Sequence, residues 1–393
     1  MKDIVKSVFK HHDWAALPVL HEWVIEQAIA VQQIPAPTFS EAKRGEYVRR
    51  QFTDLGLQQV SVDDSGNVYG LRPGLNAALP RIMVTAHLDT VFSEETNLDV
   101  RYADDLIYGP GLGDNSLGIA GLLGLLKWLN DTDIKLDCDI WVVATVGEEG
   151  LGDLFGMRAA YERLRDGVAC VINLEGLAYG YVYHAGIAVQ RLHITAHAEG
   201  GHSWVHYGRP SAVHALLQLG AQIAQITPPK SPRTTLNIGM IEGGHAINAI
   251  GTQAGLWLDL RSESQVELDR LVGQAHRLIR LARTPDIRFE AKIVGNRPAG
   301  YLTPRHPLIV GAMTALEELG VKPSLETGST DGNIPLRAGC PTVTIGISKG
   351  ANAHRLDEYI EVTPVADGMR QLISLVIAAA VHQRVLYEQA AGD

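Results

Sequence analysis

The chain contains few of the residues that are typical of secreted or structural-zinc proteins. Three cysteines occur among 393 residues, Cys138, Cys170 and Cys340, and no Cys-x-x-Cys spacing supports a structural zinc site. They lie far apart in apolar segments, which predicts reduced thiols in the core of a cytoplasmic protein. The first residues, Met1–Lys6, lack the unbroken apolar stretch of a signal peptide.

Long apolar runs and basic clusters are also missing. The longest apolar helix candidate, Leu117–Leu129, is interrupted by Lys127 and is too short to cross a bilayer, so we expect no membrane association. The net charge of -10 and the absence of a basic patch argue against a nucleic-acid partner. Part of the acidity fits a site that holds divalent cations. With 46% hydrophobic and 20% charged residues, the composition predicts a soluble protein with a large core.

The segment Arg81–Thr90 organises the chain. It has the composition of a buried strand that runs out into His87-Leu88-Asp89. A strand end is a rigid place for a metal ligand. Because side chains two residues apart point the same way along a strand, Asp89 can accept the ring N–H of His87 and fix its tautomer.

Further strand ends carry acids or histidine. The apolar segments Ile140–Val146 and Val168–Leu174 precede glutamates, and a helix, Ser116–Leu129, follows an acid that ends a glycine-rich loop. This alternation predicts an α/β fold with a mostly parallel sheet between helices. Sites in such folds lie at the carboxyl ends of the strands. The candidate metal ligands at this edge are His87, Asp114, Glu149, Glu175 and, after the strand Pro341–Ile347, His354.

Mixed histidine and carboxylate ligands suit zinc, and cobalt or manganese could replace it. Two metals close together need about three protein ligands each, and one carboxylate can bridge them. Glu148 and Glu149 are adjacent, so in an extended turn we expect them to point apart. One can then bind a metal while the other takes a proton from the metal-bound water and passes it to the leaving amine.

The pattern changes after about residue 185. Alternating strands and two helices predict an antiparallel α+β insert between residues 187 and 297. The catalytic domain is therefore predicted in two segments, 1–186 and 298–393. Earlier in the chain, the alternation over Val60–Tyr69 predicts a single strand.

Nine short motifs follow one another over nearly the whole chain. They are His87-Leu88-Asp89-Thr90, Gly113-Asp114-Asn115, Glu148-Glu149-Gly150, Glu175-Gly176, Gly200-Gly201-His202-Ser203, Gly243-Gly244 with Asn248, Leu258-Asp259-Leu260-Arg261, Gly328-Ser329-Thr330-Asp331, and His354 before Glu358. In these motifs the chain resembles the dinuclear zinc exopeptidase family that includes peptidase T, glutamate carboxypeptidase, the aminoacylases and succinyl-diaminopimelate desuccinylase.

The resemblance implies two zinc ions per chain. It also implies that Glu148 is the general base, that Asp89 orients one ligand, and that a cis peptide precedes Asn115. The implied ligands are Asp114 as the bridge, His87 and Glu175 on one metal, and Glu149 and His354 on the other.

The resemblance further implies that the insert is a lid through which two subunits dimerise. His202 would reach the partner subunit's site and stabilise the oxyanion. Asn248 and Arg261 would bind polar groups of the substrate, Arg261 a carboxylate in particular. The pocket would be lined by Ser329, Thr330 and Asp331.

These features lead to the hypothesis of an exopeptidase that cleaves short peptides by attack of a metal-bridging hydroxide. An N-acyl amino acid amidohydrolase with the same chemistry is the nearest alternative. A non-catalytic binding protein of the same fold should have lost Glu148 or a ligand, and none is lost. Asn115-Ser116 and Trp204 depart from the family pattern beside the motifs, and such departures bear on the substrate.

Overall fold

The computed structural model describes residues 1–392, in two compact units. One unit contains Met1–Gly186 and the chain from Gly300 onward, and the other contains Ile187–Ala299. The second unit thus spans residues 187–299, and the insert predicted from the sequence spans residues 187–297. The roles of the units as catalytic domain and lid stay predictions.

Helices and strands alternate along most of the chain. Within residues 1–392 there are ten α-helices, numbered in chain order: α1 (Lys2–His11), α2 (Leu17–Gln32), α3 (Ala42–Asp54), α4 (Gly118–Asp131), α5 (Phe155–Leu164), α6 (Ala212–Ala224), α7 (Gln265–Ala282), α8 (Pro307–Glu318), α9 (Asn333–Arg337) and α10 (Pro364–Gly392). The strands are β1 (Gln58–Val62), β2 (Val68–Arg72), β3 (Arg81–His87), β4 (Arg101–Ala103), β5 (Leu106–Tyr108), β6 (Ile140–Thr145), β7 (Val168–Leu174), β8 (Tyr181–Gly186), β9 (Ala188–His197), β10 (Gly201–His202), β11 (Thr234–Gly243), β12 (Ala249–Ile250), β13 (Gln253–Ser262), β14 (Arg288–Arg297), β15 (Gly300–Tyr301), β16 (Ser324–Gly328), β17 (Thr342–Ile345), β18 (Gly350–Ala351) and β19 (Tyr359–Glu361).

The first unit is built on a mixed sheet in the order β1-β2-β6-β3-β7-β17-β8-β15, with β16 beside β8. Its four central strands, β6, β3, β7 and β17, are parallel to one another, whereas β2 and β8 on either side of them run antiparallel. The four central strands are apolar along nearly their whole length because both faces are covered. Their carboxyl ends therefore meet at one edge of the sheet, and the predicted α/β fold is confirmed.

Helix α4 packs in the core of this unit. It is apolar nearly all round, as predicted, and almost every side chain on it is buried. Helices α2 and α10 approach α4 closely at Gly124. A Cβ atom at this position would lie 2.6 Å from Val24 of α2 and 2.9 Å from Met369 of α10. Because α4 continues from the glycine-rich loop, this packing anchors the chain just after Asp114.

The last helix, α10, is long and apolar enough to cross a membrane by length and composition. However, 67% of its most apolar stretch is buried within the protein, as in the core helix of a globular domain. The three cysteines are free and buried.

The single strand predicted over Val60–Tyr69 is wrong. The segment forms two antiparallel strands, β1 and β2, around a turn. Asp63 Oδ1 accepts the N–H groups of Ser65 and Asn67, each at 2.9 Å, and Gly66 supplies a positive φ of 101°. The alternation continues on both sides of the turn, which hid the break.

The second unit is an antiparallel sheet in the order β11-β13-β9-β14 with α6 and α7 packed against it. Both helices begin after a serine whose hydroxyl accepts a backbone N–H, Ser211 for α6 and Ser264 for α7. The apolar residues of the strands and helices form one separate core. The predicted α+β architecture of the insert is present.

Candidate active site

The carboxyl edge of the central strands brings the predicted metal ligands together. His87 is the last residue of β3, Glu148 and Glu149 follow β6, and Glu175 follows β7 directly. His354 comes from the loop between β18 and β19, in a small sheet of order β18-β19-β5-β4. Because β5 leads into the glycine-rich loop, this sheet also places the loop beside the histidine.

Asp114 lies between two histidines. His87 Nε2 is 3.2 Å from Asp114 Oδ1, and His354 Nε2 is 3.1 Å from Asp114 Oδ2. On the outer sides, His87 Nε2 is 3.5 Å from Glu175 Oε2, and His354 Nε2 is 2.9 Å from Glu149 Oε1. Two groups result, each with atoms within 4.8 Å of one another, and Asp114 belongs to both.

The electrostatics of these groups fit bound cations. Asp114 Oδ1 is buried and makes no hydrogen bond within the described residues. Hydrogen bonds to Asp114 and Glu149 raise the pKa of His354 to about 10. Burial lowers the pKa of His87, but Asp114 and the neighbouring carboxylates outweigh burial and hold that pKa well above its usual value. A metal would displace these protons, and imidazole nitrogens with carboxylate oxygens suit zinc, cobalt or manganese.

The turn that carries Glu148 and Glu149 is held by Asp89. Asp89 Oδ1 accepts the backbone N–H of Glu148 at 3.0 Å, and Oδ2 accepts that of Glu149 at 2.9 Å. Thr38 donates its hydroxyl to the same Oδ2 at 2.9 Å. His87 Nδ1 is closer to the backbone oxygen of Asp89, at 3.0 Å, than to its carboxylate, at 3.5 Å. Asp89 therefore positions His87 mainly through its backbone, and its carboxylate fixes the turn.

The two adjacent glutamates do not simply point apart. One oxygen of Glu148 and one of Glu149 lie within 4.8 Å of each other and of a ring nitrogen of His87. Gly147, with a φ of 64°, and Gly150, with a φ of 51°, allow this tight turn. Both carboxylates are buried and reach the same site.

Asn115 braces the segment that carries Glu175. Its buried side chain donates from Nδ2 to the carbonyl of Leu174 at 2.8 Å, and its Oδ1 accepts the N–H of Gly176 at 2.9 Å. These contacts hold the backbone on both sides of Glu175. The peptide between Asp114 and Asn115 is cis, as the resemblance implies.

Glu358 braces the glycine-rich loop. Its buried carboxylate accepts the N–H groups of Gly113 at 2.7 Å, Asp114 at 2.9 Å and Gly111 at 3.2 Å. Burial, and to a lesser degree the charge of Asp114, raise the pKa of Glu358 to about 7. Sequence reasoning assigned Glu358 and Asn115 no role in the site, and their only signal was a place inside the motifs.

The segment Ser329–Asp331 lies in the same unit. Asp331 is completely buried, and its Oδ2 accepts the hydroxyl of Thr145 at 2.5 Å. Burial raises the pKa of Asp331 to about 7. Thr330 and Ser329 are half-buried. The side chain of Asp331 therefore points into the protein, and a role in the substrate pocket stays a prediction for the segment.

The remaining predicted residues lie in the second unit. His202 and Asn248 belong to neighbouring segments, because β10 pairs with β12 and the Ser203 N–H donates to the Asn248 carbonyl at 3.0 Å. Arg261 lies on β13, and its Nε donates to Asp259 Oδ2 at 2.7 Å. One edge of the guanidinium is thus already bound to an acid.

Comparison with known proteins decides the family. The sequence pattern of peptidase family M20/M25/M40 matches residues 83–378. The chain belongs to this family. Acetylornithine deacetylase of Edwardsiella ictaluri is 28% identical over 351 residues, 82% of this chain and 87% of that protein. Two solved structures share the fold: aminopeptidase PepT from Bacillus cereus (TM-score 0.74, 22% identity, 92% of this chain and 99% of that one) and a tripeptidase from Staphylococcus aureus (TM-score 0.78, 20% identity, 92% and 98%).

Membership in the M20 family confirms the resemblance seen in the motifs and makes the protein a hydrolase. The family is metal-dependent, and the clusters around Asp114 give this chain the residues to bind metal. The relatives include both peptidases and deacetylases, so the family alone leaves the substrate open.

Replacement of Asn115 by aspartate should weaken metal binding by about 10–100-fold, the usual range for residues that orient metal ligands. Aspartate keeps the acceptor for Gly176 but cannot donate to Leu174, and it adds a negative charge. Metal affinity can be measured by competition with a coloured chelator. The matched control is Asn130→Asp, because the exposed Asn130 also donates to a backbone carbonyl, that of Leu55. Unchanged affinity in Asn115→Asp would show that the brace is dispensable.

Proposed function

We propose that the protein is an exopeptidase that uses two zinc ions to hydrolyse short peptides. The observation that carries the proposal is the position of Asp114, which offers one oxygen to each of two histidines. The ligands would be His87 and Glu175 for one ion and Glu149 and His354 for the other, with Asp114 shared. Cobalt or manganese could occupy the same positions.

When bound, such ions polarise the substrate carbonyl and lower the pKa of a water molecule. The proton transfers of the reaction are carried out by side chains of the protein. Glu148 is buried in the cluster, so its carboxylate can take the proton from the attacking water and deliver it to the leaving nitrogen. Asp89 keeps Glu148 in place by binding its backbone N–H.

His202 is suited to stabilise a developing oxyanion. Its Nδ1 accepts the backbone N–H groups of Trp204 at 3.2 Å and Val205 at 3.4 Å. A neutral ring whose Nδ1 is an acceptor carries its proton on Nε2. The ring therefore presents an N–H donor, as the proposed role requires. Asn248, Arg261, Ser329 and Thr330 are proposed to bind the rest of the substrate.

A homodimer through the second unit is proposed as the working state. The two edges of its sheet differ, since β14 carries Arg288, Glu290 and Lys292, which discourage strand pairing. The other edge, β11, exposes Met240 and Ile241 near its end, and Glu242 is its one charged residue. This edge, with fewer charged residues than β14, is suited to pair with a second copy.

The test that separates the candidate functions offers zinc-loaded protein a free tripeptide and N-acetylated amino acids, each with and without chelator. We expect cleavage of the tripeptide from one end, abolished by chelator and restored by zinc. Cleavage of the acetylated compounds alone would instead assign the protein to the deacylases, a role favoured by its 28% identity to acetylornithine deacetylase. If neither is cleaved although metal analysis finds two ions per chain, the exopeptidase proposal fails.

A further inference from the structure

Two loops of the second unit expose large apolar side chains together. Trp204 is 86% exposed and Tyr207 is 92% exposed, while Val205 and Ile247 are also largely or fully exposed. Isolated exposed apolar residues are ordinary, but a contiguous group indicates a binding surface. We call these four residues the Trp204–Ile247 surface.

The two loops are joined to each other and to the proposed substrate-binding residues. The ladder between β10 and β12 pairs His202 with Ala249, and Ser203 donates its N–H to the carbonyl of Asn248. The surface is therefore continuous with His202 and Asn248, which are proposed to contact the substrate.

Trp204 has a divided role in this arrangement. Its backbone N–H donates to His202 Nδ1 and sets the tautomer of that ring. The contact with His202 comes from the backbone of Trp204, and its indole side chain is exposed. Because the Trp204 N–H lies 3.2 Å from the His202 ring, the two residues are direct neighbours, and the exposed indole is within reach of a molecule that His202 binds.

The surface is uncharged. Residues 201–208 and 244–250 contain no aspartate, glutamate, lysine or arginine. Of the charged residues that flank these two stretches, Arg209 and Glu199 contact each other at 2.9 Å, and Glu242 precedes the second stretch by two residues. A charged substrate side chain would lose hydration here without gaining a partner, whereas an apolar side chain would gain buried area.

From these observations we infer that the Trp204–Ile247 surface binds an apolar or aromatic side chain of the substrate, next to the amide that is cleaved. The inference rests on the proposed function and extends it, because it names the substrate class as peptides or acyl amino acids with a hydrophobic residue. The inference holds whether His202 acts in the site of its own chain or in that of the partner subunit.

The experiment compares kcat/KM for substrates that differ only in one residue, phenylalanine, alanine or lysine, at each position of a tripeptide and in N-acetyl amino acids. We expect wild-type protein to favour phenylalanine over alanine by about 10–100-fold, the range for an apolar pocket. Trp204→Ala should lower this ratio about tenfold, because kcat/KM falls more for the phenylalanine substrate than for the alanine substrate. Trp204→Phe should restore the ratio.

The control is Tyr102→Ala, which removes an exposed aromatic side chain from the first unit and should leave the ratio unchanged.

Binding of the same compounds to Glu148→Gln protein, measured by calorimetry, gives a readout without turnover. If no substrate is cleaved but Trp204→Ala weakens binding of the phenylalanine compound, the proposed exopeptidase function is wrong, and binding of an apolar side chain by the Trp204–Ile247 surface is supported. If cleavage occurs with no preference for phenylalanine, or with a preference that Trp204→Ala does not alter, the inference is overturned. A change of oligomeric state with an unaltered ratio would likewise overturn it and assign the surface to a subunit contact.

Discussion

Turnover of the Glu148→Gln protein should fall by about 10²–10⁴-fold, the contribution expected of a general base, while its metal content stays unchanged. Glutamine has nearly the same shape and keeps the backbone N–H that Asp89 accepts. It has no basic oxygen to hold the proton of the attacking water. Steady-state kinetics on the preferred substrate, together with metal analysis of the purified protein, measure the two quantities independently.

Two control variants make this result specific. Glu149→Gln should lose metal, because Glu149 contacts His354 at 2.9 Å, and Glu162→Gln on the surface of α5 should change neither turnover nor metal content. Normal turnover of metal-loaded Glu148→Gln would exclude Glu148 as the base. Loss of metal from that variant would instead make Glu148 a ligand, which its distance from His87 and Glu149 allows.

The positions of the candidate site residues could be predicted because they depend on simple patterns. Apolar segments long enough for buried strands end just before His87, Glu148 and Glu175, and parallel strands place their carboxyl ends at one edge. Local sequence therefore determined both the sheet and the line of residues along it. The same reasoning was wrong for Val60–Tyr69, where alternation on either side of a turn imitates one strand.

The braces around the ligands could not be predicted from the sequence in this way. Glu358 acts on Gly113 and Asp114 across most of the chain, and Asn115 acts on Leu174 and Gly176 in another strand loop. Their partners are backbone groups, which every residue has, so no side-chain pattern marks the contact. Only the fold shows which buried carboxylate or amide meets which peptide group.

The braces form a connected set. Asp89 follows His87 in the chain, and its carboxylate holds the turn of Glu148 and Glu149. Asn115 follows Asp114 and holds the segment of Glu175. Glu358 follows His354 and holds the loop that carries Asp114. Three of the segments that carry candidate ligands are thus fixed by a residue that lies near a different candidate ligand. Such cross-connection ties the loops of the cluster to one another, as a site with fixed spacing requires.

The second large effect is expected from mixing two inactive proteins. His202→Ala should lower turnover by about 10²–10³-fold, as loss of an oxyanion donor does, and Glu148→Gln is inactive for the reason given above. If His202 serves the partner subunit's site, a mixed dimer contains one site with both residues intact. Random exchange makes about half of the dimers mixed, so about one quarter of wild-type activity should return.

Exchange of subunits is achieved by mild denaturation and refolding of the mixture, and size-exclusion chromatography confirms that dimers re-form. The control mixes His202→Ala with the double variant Glu148→Gln/His202→Ala, a pair that has no intact His202 and should stay inactive. Recovery in the first mixture alone establishes that one subunit supplies Glu148 and the other His202. If the first mixture stays inactive although mixed dimers are present, His202 acts within its own chain or not at all. In that case, pairing through β11 is not needed to bring His202 to the site.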